Sequence, residues 1–468
     1  MAAKFRRSGL PILTAVLVSL PAGTAVAQDP YARADSAADG VGASYWGEIP
    51  PASDSTAAQF RNSLMPVWEG ILVVPFRFFT YPVKLLGDGM LATVEWIDEA
   101  RVLNIFFRPP GKMQLMPAIS AGGLSGFGGG LTVQLNDVGW PGVQMRLRGY
   151  ATVNGDQRIT FGARAPTGRR SRIVLGMGFR DRANARYFGI GPNSSVFDES
   201  FYRQKLTWAG LSYHRDFGSG FTLRGKLLYS GVAAGLPDDD LEPSIPQQFP
   251  GSVPPGFGER SEGLSLELLL GQSDGLPTGR PTRGGLRQLR ASYMIATNSG
   301  EADLWTLRAE LQQFVPLWYE HHTLALRGYV SWIQRAGDGE IPFQRLLTND
   351  DPDLLRGFND FRWRDRGLAV LSAEYRWPLW VFQRAAGPGL DMYVLADVGQ
   401  VFDSFNKISF DNLTLSYGLG IRLVSGPGLV LRLEWARSNE GTVFRLKSEQ
   451  IFQWTKGLFH GKDPIPPR

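Results

Sequence analysis

The chain has no cysteine in its 468 residues. That excludes disulfide scaffolds and thiolate metal centres, and it suits an exported chain that crosses a membrane unfolded without cross-linking. Histidine is nearly as scarce, with four residues, and their spacing matches no metal motif. His321 and His322 are adjacent, so on a strand they point to opposite faces. Beyond residue 27 no apolar run reaches the roughly 18 residues that a membrane helix needs. Charge of one sign is also missing: 49 Lys and Arg stand against 44 Asp and Glu. Without Lys4, Arg6 and Arg7 the net charge falls to 5 − 3 = +2. So small an excess gives no support to a nucleic-acid partner.

What is present begins with those three cations. They precede the apolar stretch "GLPILTAVLVSLPAGTA" and an Ala25-Val26-Ala27 cleavage site, so residues 1–27 read as a secretory signal peptide. Gln28 after the cut is not a lipidation residue. Residues 28–114 read as a periplasmic leader. The part to residue 60 is polar and aperiodic, and the stretch 64–107 is broken by Pro75, Pro82 and Gly87 around a short amphipathic helix. Packing under a barrel mouth, lying on a membrane surface and plugging a lumen all remain open for that helix.

From Leu115 the hydrophobic period is two. "VQMRLRGYATV" sets Val143, Met145 and Leu147 on one face against Gln144, Arg146 and Arg148 on the other. "NLTLSYGLGIRL" and "LVLRLEW" repeat the pattern. Aliphatics on one side and charges on the other, strand after strand, call for hydrocarbon outside and water inside. We count about sixteen such runs over 115–453, each near the length of a tilted membrane strand. The long connections 180–200, 231–259 and 335–365 all follow odd-numbered runs, which puts them on one side of an up-and-down barrel. The fold class is therefore all-β: a transmembrane antiparallel barrel over 115–454, with a tail at 455–468.

Several stretches carry a chemical alternative. "GFTLRGKL" (220–227) nearly matches a phosphate loop, but it alternates like a strand and has Leu227 where a magnesium-binding hydroxyl belongs. The glycine cluster 121–130 reads as a tight hairpin. Asp238, Asp239 and Asp240 lie in a proline-rich loop that could hold calcium or could simply be hydrated. Ser212 and His214 share a strand face, the minimum for a barrel lipid hydrolase, but no nucleophile elbow accompanies them. We expect no enzyme activity, cofactor or metal.

The stretch "DPDLLRGFNDFRWRDRG" (351–367) is the most specific. The two runs after it place Glu374 and Asp397 on the polar, inward side, where bare carboxylates are costly. An arginine fork is the natural partner for such acids. Pattern alone leaves open whether Arg356 reaches them. Together, "LLRGF" (354–358), "SAEYRWPL" (372–379), "VLADVGQVF" (394–402), "YGLGIRL" (417–423) and "ARYFGIGPNSS" (185–195) resemble the successive signatures of the BamA/TamA bacterial surface antigen family. The resemblance implies a sixteen-stranded barrel whose sixth outer loop folds into the lumen. Arg356, Gly357 and Phe358 would form the loop tip, with Glu374 and Asp397 as partners and Gly399 completing the Asp-x-Gly signature. It further implies a bacterial outer-membrane location and a role in assembling or translocating proteins or lipids. Outer-membrane lipids and lipopolysaccharide would surround the barrel, and outer-membrane or secreted proteins would be its clients. The leader does not read as POTRA modules. A passive channel or structural barrel is the alternative, and a lipid hydrolase the more distant one. Arg364, six residues past Phe358, reads as an outward residue whose loss should be nearly silent.

Overall fold

The computed structural model describes residues 113–121, 127–237, 242–274, 281–317, 322–349, 354–381, 389–425 and 428–447. The expected signal peptide, leader helix, aspartate run 238–240 and C-terminal tail lie wholly or almost wholly outside these residues.

One antiparallel sheet of sixteen strands runs in strict sequence order. The first five strands are β1 (Met113–Ala121), β2 (Phe127–Asn136), β3 (Gln144–Thr152), β4 (Gln157–Gly168) and β5 (Ser171–Tyr187). They continue as β6 (Ser200–Gly218), β7 (Phe221–Gly235), β8 (Arg260–Ser273), β9 (Gly284–Ala296), β10 (Asp303–Pro316) and β11 (Thr323–Ala336). The last five are β12 (Gly367–Val381), β13 (Gly389–Phe402), β14 (Thr414–Ser425), β15 (Gly428–Ser438) and β16 (Gly441–Lys447). Among the described residues no helix is long and apolar enough to cross a membrane.

The faces of this sheet are inverted relative to a soluble protein. In β8, Leu264, Leu266, Leu268 and Leu270 are exposed, while the alternate Ser265 and Glu267 are buried. Leu266 is 65% exposed and its neighbour Glu267 is 2% exposed. The strand period carries each successive side chain to the opposite face, so an apolar outer surface and a polar interior follow directly from the alternation. Leu147, Leu289, Leu307, Leu415 and Leu433 extend the apolar surface around the sheet. That is the surface a hydrocarbon solvent accepts.

Several boundaries differ from the sequence reading. β5 continues eight residues past the expected end at 179. The charges of "RDRANAR" look like a loop in sequence, but in the barrel Asp181 and Arg186 find ion-pair partners on the neighbouring strand and the loop before it. Arg203 on β6 forks onto Asp181 at 2.9 and 3.0 Å. The chain at 410–412 forms a tight 3-10 turn, so β14 starts at Thr414. The long connections shorten to 188–199, 236–259 and 337–366, and they still follow β5, β7 and β11.

The connection 337–366 is a folded unit. Leu347–Thr348 pairs antiparallel with Arg364–Asp365. Leu354, Leu355, Phe358 and Trp363 pack on Leu304, Ile333, Leu368, Val370 and Val401 from the barrel wall. Phe343 sits edge-on to Tyr187 and Tyr202 at 5.4 and 5.3 Å, and Ile245 and Leu346 complete this second cluster. A long polar loop thus has its own apolar underside, facing into the barrel.

Candidate functional site: an arginine anchorage inside the barrel

Inward alternation puts Glu374 on β12, Asp397 on β13 and Glu434 on β15, all at most 2% exposed. Arg356 enters from the loop with no exposed surface. Its Nε donates to Asp397 Oδ2 at 2.8 Å and its Nη2 to Oδ1 at 2.6 Å. Its backbone N–H adds a third bond to Oδ2 at 2.9 Å. Nη1 donates to Glu374 Oε1 and, at 3.4 Å, to Glu434 Oε1. One guanidinium therefore bridges three strands in a bidentate geometry where water is excluded. Such charge-assisted pairs are among the strong ones.

Further cations neutralise the remaining acids. Arg376 donates through Nε to Glu374 Oε2 at 2.8 Å. Arg432 Nη1 and the Tyr393 hydroxyl donate to Glu434 Oε1 at 3.2 and 2.8 Å. Asp397 differs: among the described residues every hydrogen bond its carboxylate accepts comes from Arg356.

The tip is shaped to reach this pocket. Leu355 takes a left-handed φ of 54°, which is uncommon for a branched residue. The turn closes through Phe358 N–H on the Leu355 carbonyl at 3.0 Å. A Cβ on Gly357 would stand 2.5 Å from the Ser416 Cβ and 2.8 Å from the Arg437 carbonyl. Glycine is needed there because the loop backbone touches the wall. Gly399 is tight in a different place, since its Cβ would meet the Ala369 carbonyl at 2.5 Å between β12 and β13. Phe358 packs edge-on to Trp363 at 5.6 Å.

Arg356, Gly357, Phe358, Glu374 and Asp397 thus meet in one place. Gly399 lies one strand-repeat away and packs between strands without touching the loop tip. The sequence reading missed Glu434, Ser438 and Arg445. Arg445 on β16 donates to the Arg356 and Phe358 carbonyls, the latter at 2.7 Å. Ser438 Oγ donates to the Gly357 carbonyl at 2.9 Å. "LVLRLEW" had put Arg432 and Glu434 on the inward face, so the alternation carried that signal.

Three more arginines hold the loop along its length. Arg345 donates to the hydroxyls and carbonyls of Ser230 and Ser261, on β7 and β8, at 2.8–3.1 Å. Arg362 forks onto Glu440 at 2.8 and 2.9 Å, and its Nη1 donates to Ser194 Oγ at 2.8 Å. Arg364 overturns its outward reading. It is 1% exposed, donates to the Phe343 carbonyl at 2.7 Å and the Tyr202 hydroxyl at 3.0 Å, and lies over three aromatic rings. The loop turns inward there, and aromatic π-faces replace the water expected around a loop cation. Asp365 beside it has its carboxyl pushed up to about 6, first by burial and then by Asp403.

Ser212 Oγ and His214 Nε2 stand 3.0 Å apart in the lumen. Asp216, next on that face, accepts from Arg172 and Thr222. Among the described residues no carboxylate hydrogen-bonds His214, so the orienting third member of a triad is missing. No group of three potential metal ligands occurs among them either.

An inverted sixteen-stranded sheet with an arginine-anchored loop inside it defines a transmembrane β-barrel of the bacterial outer-membrane class. Residues 272–458 match the Omp85 superfamily domain. The fold of the chain is similar to that of BamA from Haemophilus ducreyi lacking POTRA domains 1–3. The TM-score is 0.53 at 14% identity, over 72% of this chain and 71% of that one. CdiB from Acinetobacter baumannii matches at 13% identity and a TM-score of 0.46, over 72% of this chain and 60% of that one. CdiB from Escherichia coli matches at 13% and 0.49, over 73% and 61%. At those scores the two CdiB likenesses add no weight. No curated protein sequence matches the chain.

Proposed function

We propose that this barrel assembles or translocates proteins, or moves lipids, at the outer membrane, with the loop 337–366 as the internal brace that keeps it in working shape. The observation that carries the reading is the Arg356 anchorage. It ties one loop to β12, β13 and β15 and, through Arg445, to the last strand. Such a brace leaves β1 as the less supported edge. Pro117 in β1 faces Leu131 on β2 and has no N–H to offer a second neighbour. The edge between β1 and β16 would then part laterally to admit a client, while the braced wall stays fixed.

Depleting the protein and taking a census of outer-membrane proteins and lipids tests the first part. Loss of particular barrels supports assembly, loss of lipid asymmetry supports lipid movement, and no change in either defeats the proposal. Cysteine pairs across the β1–β16 edge test the second part. An oxidised crosslink should abolish function and reduction should restore it; full function while crosslinked rules out lateral opening.

A further inference from the structure

We propose that the inner wall of β5–β10 carries a phosphate-binding band, separate from the loop anchorage and independent of the assembly reading. Strand register lines up one row of inward side chains. Arg172 lies opposite His214, His214 opposite Arg224, and Arg224 opposite Leu269. Leu269 lies opposite Arg290, and Arg290 opposite Arg308. Strands are about 4.8 Å apart, so Arg290 and Arg308 stand directly opposite each other, an arrangement that destabilises a sheet unless something answers it, and Arg172 and Arg224 follow at two-strand intervals.

The protein answers it only in part. The four arginines face Glu267 in one adjoining row and Asp216 and Glu310 in the other, and Glu310 is held by Arg327 at 2.9 Å. Glu267 takes Arg224 at 2.9 Å and reaches Arg290 at 3.8 Å, while Asp216 takes Arg172 at 3.2 Å. Among the described residues no carboxylate pairs with Arg308, whose guanidinium rests 5.4 Å over the Tyr329 ring. The Nε atoms of Arg224, Arg290 and Arg308 are buried donors without an acceptor. The layering also favours an incoming anion. The side chains of Arg172, Arg224 and Arg290 are 17–19% exposed, whereas that of Glu267 is 2% exposed.

A compact anion with several oxygens fits this better than a carboxylate does. Neighbouring guanidinium forks each take two oxygens, and a tetrahedral phosphate can serve two forks at once. The band is six residues along β7 from Ser230, where Arg345 seats the loop, or roughly 20 Å at strand rise. The loop therefore leaves it uncovered, at the short-turn end of the lumen. The phosphate could be free or carried on a lipid headgroup.

The test is calorimetric titration of the full chain in detergent with inorganic phosphate, with short-chain phosphatidic acid in the same micelles, and with hexaglutamate. Saturable binding of either phosphate probe is expected, weakened about tenfold or more in Arg290→Gln/Arg308→Gln and unchanged in Arg335→Gln. Equal affinity for both probes assigns free phosphate, and preference for phosphatidic acid assigns a headgroup. Arg308→Gln alone removes a cation that has no carboxylate partner, so it should fold and still show weakened binding if the double variant does not. Three outcomes overturn the proposal: no saturable phosphate binding, binding indifferent to these substitutions, or hexaglutamate binding as tightly as phosphate. Substituting Arg356 should leave the band's affinity intact.

Discussion

Arg356→Ala isolates one carboxylate more cleanly than its position among three suggests. Glu374 keeps Arg376, and Glu434 keeps Arg432 and Tyr393. Asp397 loses both side-chain donors and keeps only the backbone N–H of residue 356. Removing one partner of a buried pair costs about 3–5 kcal/mol, because the survivor stays buried and uncompensated. If that is the origin of the loss, Arg356→Ala/Asp397→Asn should regain about 2 kcal/mol or more, a coupling that independent sites do not show. Arg356→Lys keeps the charge without the fork and should fall between the two. The assay is urea unfolding of the purified barrel in detergent, followed by sheet circular dichroism. Arg335, exposed at the end of β11, is the control, and its alanine variant should stay within about 0.5 kcal/mol of the parent. If Arg356→Ala matches that control, or if the double variant is no better than the single, the orphaned-carboxylate reasoning fails.

Arg364→Ala should cost about 2–4 kcal/mol in the same assay, since it strands the Tyr202 hydroxyl and the Phe343 carbonyl and empties an aromatic cage. Parity with Arg335→Ala would restore the outward reading of that residue. Gly357→Ala should cost about 1–3 kcal/mol through overpacking against Ser416 and Arg437, and protease should then cut the loop more readily in the folded barrel. A protection pattern unchanged from the parent contradicts this. Asp365 holds its proton more tightly folded than unfolded, so its contribution to stability is present below the ordinary carboxylate range and is lost as pH rises through about 6. Asp365→Asn should therefore raise the melting temperature at pH 7.5 more than at pH 5, and an equal shift at both would show that its ionisation is not involved.

The barrel was legible because membrane strands encode their two solvents residue by residue. The alternation of "LVLRLEW" says which side is hydrocarbon without reference to any other strand, and the order of loop lengths says which end is which. Inward Glu374 and Asp397 were legible for the same reason. Where the reading failed, the deciding partner lay far along the chain. "RDRANAR" looked like a loop because the arginine that neutralises Asp181 stands 22 residues later. Arg364 looked like a solvated loop cation because its ring partners Tyr187, Tyr202 and Phe343 come from three separate segments.

The sequence by itself determined the strand period, the inverted faces, the sixteen-strand count and an arginine-bearing loop ahead of two inward acids. These depend on neighbours one or two residues away. Only the tertiary structure decided that Arg356 is shared with Glu434, that Arg445 of the last strand holds the loop tip, and that four arginines of β5–β10 fall into one row. Those arrangements depend on sheet register and on a loop crossing the barrel. Register is set by all the strand pairings together, and no local pattern carries it.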